Sequence, residues 1–229
     1  MTTPFCVFES AARRYGERTA LHGTTLSLES GRVVGVAGPT GAGKTTFARL
    51  AAGFVAPSSG RVLLGGEPAM QARAHEGIGY LPDELPRGWR CTVRLLLEMR
   101  GLHQPTLGSD AVIDILGLSD LADTPLHVLS KGQWRMALAA YAALGPSRLL
   151  VFDEPDSGLD PTALRRMRAL ITACRDAGSL VLVLSHQLTE LDAVCDQLLF
   201  IGGGRVLRSV TAAEREGRSV ADLYHETLS

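Results

Sequence analysis

Lysine is almost missing from this 229-residue chain. Only Lys44 and Lys131 occur, and arginine supplies the other basic residues, a skew that hints at a GC-rich genome. The 23 basic residues are balanced by 24 acidic ones, for a net charge of -1. That excludes a broadly basic nucleic-acid surface, although not a local patch. No C-x-x-C pair exists among Cys6, Cys91, Cys174 and Cys195. Zinc and redox motifs are therefore excluded, and the thiols are expected to be buried or incidental, in a reducing compartment. The longest apolar stretch, residues 136–144, falls far short of the ~20 that span a bilayer. Residues 1–15 lack a basic segment followed by an apolar one, so no secretory leader is expected. A chain of this kind working at a membrane must be held there by another chain. Internal repeats and low-complexity segments are also absent.

What is present is globular. The composition is 45% apolar and 21% charged, and the length suits one large α/β domain or a domain with a small subdomain. Short β-rich runs alternate with helical patterns. Residues 33–37, 149–153 and 180–184 hold few polar side chains, as parallel strands buried on both faces do. Helices are expected over 44–52, ended by Gly53, and over 161–177, with Pro161 at the first helical position and Gly178 just past the end. In the second helix Leu164, Met167, Ile171 and Cys174 recur at three and four, which predicts one buried stripe. Runs at 198–201 and 205–208 flank Gly202-Gly203-Gly204, which suggests a hairpin. A short packed helix is expected in the tail after Thr211, around Val220, Leu223, Tyr224 and Leu228. Residues 85–128 read as a helical insert.

The strongest local signal is Gly38-Pro39-Thr40-Gly41-Ala42-Gly43-Lys44-Thr45-Thr46. It fits G-x-x-x-x-G-K-[ST] and follows an apolar run. Glycines let backbone N–H groups curl around phosphate oxygens, and the helix beginning near Lys44 aims its N-terminus at the same anion. Lys44 reaches the β- and γ-phosphates and the Thr45 hydroxyl ligates Mg²⁺. The second signal is Leu149-Leu150-Val151-Phe152-Asp153-Glu154-Pro155, an apolar strand ending in acids. Asp153 is placed to hold Mg²⁺, and Glu154 to polarise the attacking water. The third is Leu129-Ser130-Lys131-Gly132-Gln133. Ser130 and Gln133 form a capping box opening a helix over 131–144. The same helix N-terminus, with the Ser130 hydroxyl and the Gly132 N–H, can bind a γ-phosphate.

The order of these motifs, followed by Ser157-Gly158-Leu159-Asp160 and a strand ending in His186, resembles the ATP-binding subunits of ABC transporters over essentially the whole chain. The resemblance implies an α/β fold: a P-loop NTPase, RecA-like core with an N-terminal antiparallel β subdomain and an α-helical subdomain at about 85–145, all within one cassette over 1–229. It implies ATP and Mg²⁺ as ligands. Tyr15 aligns with the aromatic that stacks on adenine, against the alternative of a core or surface tyrosine. Ser130, Gly132 and Gln133 match the signature loop that grips the nucleotide of the opposite subunit. Asp160 matches the acid that crosses the dimer interface, and it is equally a plain N-cap. His186 matches the histidine that contacts the γ-phosphate, against a structural histidine after a strand.

Two departures stand out. The family carries Gln after a strand such as residues 78–82, where this chain has Asp83, shorter by roughly 1.3 Å and negatively charged. Asp83 remains a candidate Mg²⁺ ligand, with its effect on hydrolysis and coupling open. Lys131 replaces the usual first glycine of the signature, as in many exporter subunits; it either assists phosphate binding or is a solvated helix-start lysine. Trp89, in Arg87-Gly88-Trp89-Arg90, faces either a membrane partner or the core.

The resemblance implies an ATPase subunit that closes a two-fold dimer on ATP, in homo- or heterodimer form, and drives a separate integral membrane permease from the inner face of the cell membrane. Residues 92–96 and 100–102, with LSKG, look more like drug, peptide or polysaccharide exporter subunits than importers. No extra C-terminal regulatory domain of the sugar-importer kind is expected. No nucleic-acid partner is expected. The alternatives are a gating or signalling module with hydrolysis attenuated by Asp83, and a soluble ABC ATPase of DNA repair or ribosomes. The second is opposed by the single cassette and the lack of a heptad run between residues 45 and 129.

Overall fold

The apolar runs become adjacent strands. In the computed structural model, residues 4–84, 89–101, 108–145 and 147–228 are described. The chain runs β1 (Pro4–Tyr15), β2 (Arg18–Glu29), β3 (Arg32–Ala37), α1 (Lys44–Ala51) and β4 (Ser59–Leu64). It continues through β5 (Glu67–Pro68), α2 (Ala69–Ala72), β6 (Ile78–Leu81), α3 (Val93–Gly101) and α4 (Ser109–Leu116). Then come α5 (Lys131–Ala143), β7 (Leu149–Asp153), α6 (Pro161–Asp176), β8 (Leu180–Leu184) and α7 (Leu188–Val194). The chain finishes with β9 (Gln197–Gly202), β10 (Arg205–Thr211) and α8 (Val220–Leu228).

A six-stranded sheet has the order β10-β9-β3-β8-β7-β6, parallel except for the antiparallel β9–β10 hairpin. Every residue of β7 and β8 is buried, because helices cover both faces of a parallel sheet. The register sets the working edge. Val36 and Asp153 both lie opposite Leu184, and Leu81 lies opposite Phe152. The segments that follow β3, β6, β7 and β8 therefore emerge side by side at the carboxyl end of the sheet, where open α/β sheets bind ligands.

A second sheet, β2-β1-β4-β5, is antiparallel. α1 lies between the sheets. Its Phe47 stacks on Phe8 of β1 with ring centroids 4.7 Å apart, and a shared core of Phe5, Leu21, Val34, Val36 and Leu50 joins the layers. The residue patterns alone did not mark β1, β2 or β4; this sheet was expected only from the resemblance.

The other expectations are met with small shifts. α6 ends at Asp176, and its buried face is Met167, Leu170, Ile171 and Cys174, while Leu164 stays only partly buried. In α8, Val220 and Leu223 are buried, and Tyr224 and Leu228 pack beside them. The helical insert is present as α3, α4 and the start of α5, with Val93, Leu96, Leu97, Val112 and Leu116 in the main core. Its expected start at 85–88, and Leu102 of the exporter-like stretch, lie outside the described residues. Cys6, Cys174 and Cys195 are buried and Cys91 is partly so, all four free. Burial pushes the Cys6 and Cys174 thiols up to about 12. Among the described residues, no helix is long and apolar enough to cross a membrane.

Candidate functional site

The phosphate loop leaves β3 and enters α1. Two of its glycines are required by shape. A Cβ on Gly38 would lie 2.1 Å from the Ile201 carbonyl oxygen. Gly43 has φ +109°, and its Cβ would lie 2.5 Å from the Ala20 carbonyl oxygen. Gly43 is also the N-cap of α1, which has no capping side chain and no acid in its first turn. Backbone N–H groups there have no side-chain acceptor, which favours an anion. The Lys44 ammonium folds back and donates to the carbonyls of Gly38 at 2.7 Å and Pro39 at 3.3 Å.

Asp153, the last residue of β7, is buried. Its Oδ2 accepts the Thr45 hydroxyl at 3.1 Å and the Tyr80 hydroxyl at 3.2 Å. Burial holds the Asp153 carboxyl above the usual range, against the lowering effect of those two hydroxyls. Burial also pushes the Tyr80 phenol upward, with the Asp153 charge adding to it. Thr45, Asp153 and Asp83 offer hard oxygen donors to a dication, and Asp153 gains a counter-charge from one. Among the described residues no group of three His, Cys, Asp or Glu side chains could cage a metal alone. Few carboxylates, completed by substrate phosphates and water, are what Mg²⁺ takes, so the donor set fits that ion.

Glu154 follows with φ +53°, a left-handed backbone that a side chain adopts at roughly 1 kcal/mol or more. Its N–H donates to the Leu184 carbonyl at 2.8 Å, which locks the turn to the end of β8. His186 lies one residue past Ser185, and its Nδ1 is 2.6 Å from Glu154 Oε2. The imidazole is largely exposed while the carboxylate is mostly buried. Burial raises the Glu154 pKa, and the contact with His186 opposes this. The Ser185 hydroxyl donates to Asp156 Oδ2 at 2.6 Å and accepts the Gln187 N–H at 2.9 Å, tying the two turns together.

A single cleft of 680 Å³ is lined by Tyr15, residues 40–46 of the loop, Asp83, Asp153, Glu154 and His186. Tyr15 is 42% exposed at the rim. The Arg13 guanidinium lies over one of its faces, 4.6 Å from the ring centre. Tyr15 is therefore a surface aromatic and not a core one. Arg18, which no motif had marked, also lines the cleft, as does Ser157, the first residue of the Ser157–Asp160 motif. The Tyr80 hydroxyl was hidden in an apolar strand pattern. Arg135 was missed too, although an arginine inside the apolar run of α5 is itself a signal.

Ser130, Gly132, Gln133 and Asp160 do not line this cleft. The two turns that carry them pack together: a Cβ on Gly132 would lie 3.2 Å from the Gly158 carbonyl oxygen. The capping box is complete, with the Gln133 N–H donating to Ser130 Oγ at 3.2 Å and the Ser130 N–H donating to Gln133 Oε1 at 2.9 Å. Asp160 caps α6, accepting the N–H groups of Thr162 and Ala163 at 2.8 Å each. These two bonds hold its carboxyl below the usual range. Trp89 is 39% exposed and meets buried Trp134 edge-on at 6.0 Å, so it lies between the two readings open for it.

A family model described as ABC transporter matches residues 21–157. The ABC transporter ATP-binding/permease protein Rv1747 of Mycobacterium tuberculosis is 38% identical over 200 residues, 82% of this chain; the match spans only 23% of that protein's length. The lipopolysaccharide export system ATP-binding protein LptB of Haemophilus influenzae is 31% identical, over 89% of each chain. A solved structure described as the ATP binding subunit of an ABC transporter superposes with a TM-score of 0.86 at 22% identity, over 99% of this chain and 100% of that one.

Proposed function

This chain belongs to the ABC transporter family, and we propose that it binds ATP in the cleft, hydrolyses it, and powers export through a separate membrane permease. The observation that carries this reading is the convergence at one sheet edge of the phosphate loop, the Thr45–Asp153 contact and the Glu154–His186 contact. The export direction draws on the similarity to the lipopolysaccharide export protein LptB and on the LSKG signature.

In this reading residues 38–46 hold the phosphates, and Lys44 exchanges the Gly38 and Pro39 carbonyls for phosphate oxygens. Tyr15 offers adenine the ring face opposite Arg13. Thr45 and Asp153, with Asp83 as a further candidate, would hold Mg²⁺, which would supply charge stabilisation to the phosphates. Glu154 accepts the proton of a water that attacks the γ-phosphorus. The bond to the β–γ bridging oxygen breaks, and ADP leaves with that oxygen. His186 holds Glu154 in place and donates toward the γ-phosphate. Ser130, Gly132, Gln133 and Asp160 reach the nucleotide of a second ABC ATPase subunit, so two chains complete two sites. The permease would hold the pair on the inner face of the cell membrane. We take residues 1–229 as one cassette, with the helical subdomain at about 85–145.

Glu154→Gln tests this. Turnover should fall by about 100- to 10,000-fold while ATP still binds and traps a dimer. Tagged Glu154→Gln protein, loaded with ATP and Mg²⁺, should then bring a multi-span protein out of the native host's membranes. Undiminished turnover removes Glu154 as the base. Recovery with ribosomal or DNA-bound partners removes the transporter reading. The attenuated-hydrolysis reading draws on Asp83, whose carboxylate lines the cleft. A large gain in turnover for Asp83→Gln would favour it.

A further inference from the structure

α5 carries one charge beyond its first residue, Arg135, and this side chain is wholly buried. A buried guanidinium is unfavourable unless its charge and its donors are met. Here one terminal nitrogen donates to the Glu154 carbonyl at 2.6 Å. The other donates to the Asp83 carbonyl at 2.9 Å and lies 3.8 Å from Asp83 Oδ1. The Nε finds no partner among the described residues. The guanidinium fork thus joins three segments: α5, the loop after β6 and the turn after β7.

These two bonds fall at positions that need them. The Glu154 backbone is in the left-handed region, and among the described residues its carbonyl also accepts the Ser157 N–H at 3.2 Å within the same turn. Asp83 is more than half exposed in the cleft, and the Arg135 bond to its carbonyl fixes its backbone to α5. The carboxylates of Asp83, Asp156, Glu154 and Asp153 all act on the Arg135 charge, and Arg135 is the buried cation among them.

We infer that Arg135 is a positioning residue for hydrolysis. Its fork ties the Asp83 loop and the Glu154 turn to α5, and its charge neutralises Asp83, so that an acid is tolerated beside the reacting phosphate. The inference rests on the reading of the cleft as the site of hydrolysis, with Glu154 as its base. It has a mechanical consequence. The first turn of α5 is the signature loop, so docking that turn on a second subunit has a direct route to both catalytic loops.

The experiment compares the natural protein with Arg135→Met, Arg135→Lys, Asp83→Gln, Asp83→Gln/Arg135→Met and Glu154→Gln. ATP turnover, ATP affinity and hydrogen exchange are measured for each. Arg135→Met should lower kcat by about 10- to 100-fold with KM little changed, because the reacting groups are misplaced while the phosphate loop is untouched. Arg135→Lys keeps the charge without the fork and should restore part of the loss. In the Asp83→Gln background the Arg135→Met loss should be smaller, since no unpaired acid remains. Exchange should rise together in peptides covering 80–84 and 152–158 and stay unchanged in β1 and β2. An unchanged kcat, an equal loss in both backgrounds, or a uniform rise in exchange overturns the inference. Should Arg135→Met fail to fold, Arg135→Lys carries the same readouts, with exchange rising in the same two peptides. If Glu154→Gln keeps full turnover, the functional reading fails, and the exchange data still decide whether Arg135 ties the two loops.

Discussion

Two helices begin at the business end of this molecule, and their first turns are built in opposite ways. α1 starts at Gly43 with no capping side chain and no acid nearby. α5 starts at Ser130 with a complete capping box. The first leaves its N–H groups for an outside anion; the second satisfies its own from within the chain. α1 is therefore expected to bind nucleotide in a single chain. α5 holds its shape without ligand, and its contribution to a phosphate is expected only once a second subunit docks.

The largest effect that would break this contrast is at α1. Lys44→Ala should weaken ATP binding by about 30-fold or more, because a charge-assisted contact to phosphate is lost. Calorimetric titration of the single chain reads it, and full retained affinity would sink the assignment of the loop. Tyr15→Ala should cost about 1–3 kcal/mol of stacking, seen as a higher KM for ATP, with Tyr15→Trp near the natural value. An unaltered KM would place adenine elsewhere.

The pH profile comes next. Glu154 must be ionised to accept a proton, and burial raises its pKa. The acid limb of turnover should therefore lie above the ordinary Glu value of about 4.3, with activity rising as pH passes through it. The His186 contact lowers that pKa, so His186→Ala should move the limb to higher pH in whatever activity remains. A limb that moves down or stays would remove the electrostatic link between the two.

The smallest effect belongs to α5. Ser130→Ala should cost about 1 kcal/mol of stability through the lost cap and weaken the ATP-dependent dimer, while the affinity of the single chain for ATP is unaffected. Sedimentation with Glu154→Gln as background reads the dimer. A fall in single-chain affinity would mean that the two helix ends are not separate devices.

Much of this was legible in the residues. β7 and β8 appear at the expected bounds because a run of four apolar residues closed by Asp153, and a run of five, suit strands buried on both faces and little else. The α6 boundaries followed from Pro161 and Gly178. The antiparallel sheet was not legible: β1 and β2 mix polar and apolar residues through a bulged register, which blurs the period-2 signal. Arg135 and Tyr80 were missed for a different reason. Their roles depend on distant backbone and side-chain atoms, and no local spacing encodes those.

The sequence by itself determined which residues are chemically able to act, because a phosphate loop needs its glycines at Gly38 and Gly43 and its cation at Lys44. Tertiary structure alone decided what they act together with. Strand register brings Ala37, Asp153 and Leu184 to one edge, and only there do Thr45, Asp153, Glu154 and His186 come within reach of one another. Capping and propensity act within a few residues along the chain, whereas the site is made by contacts between residues that lie 32 to 108 positions apart.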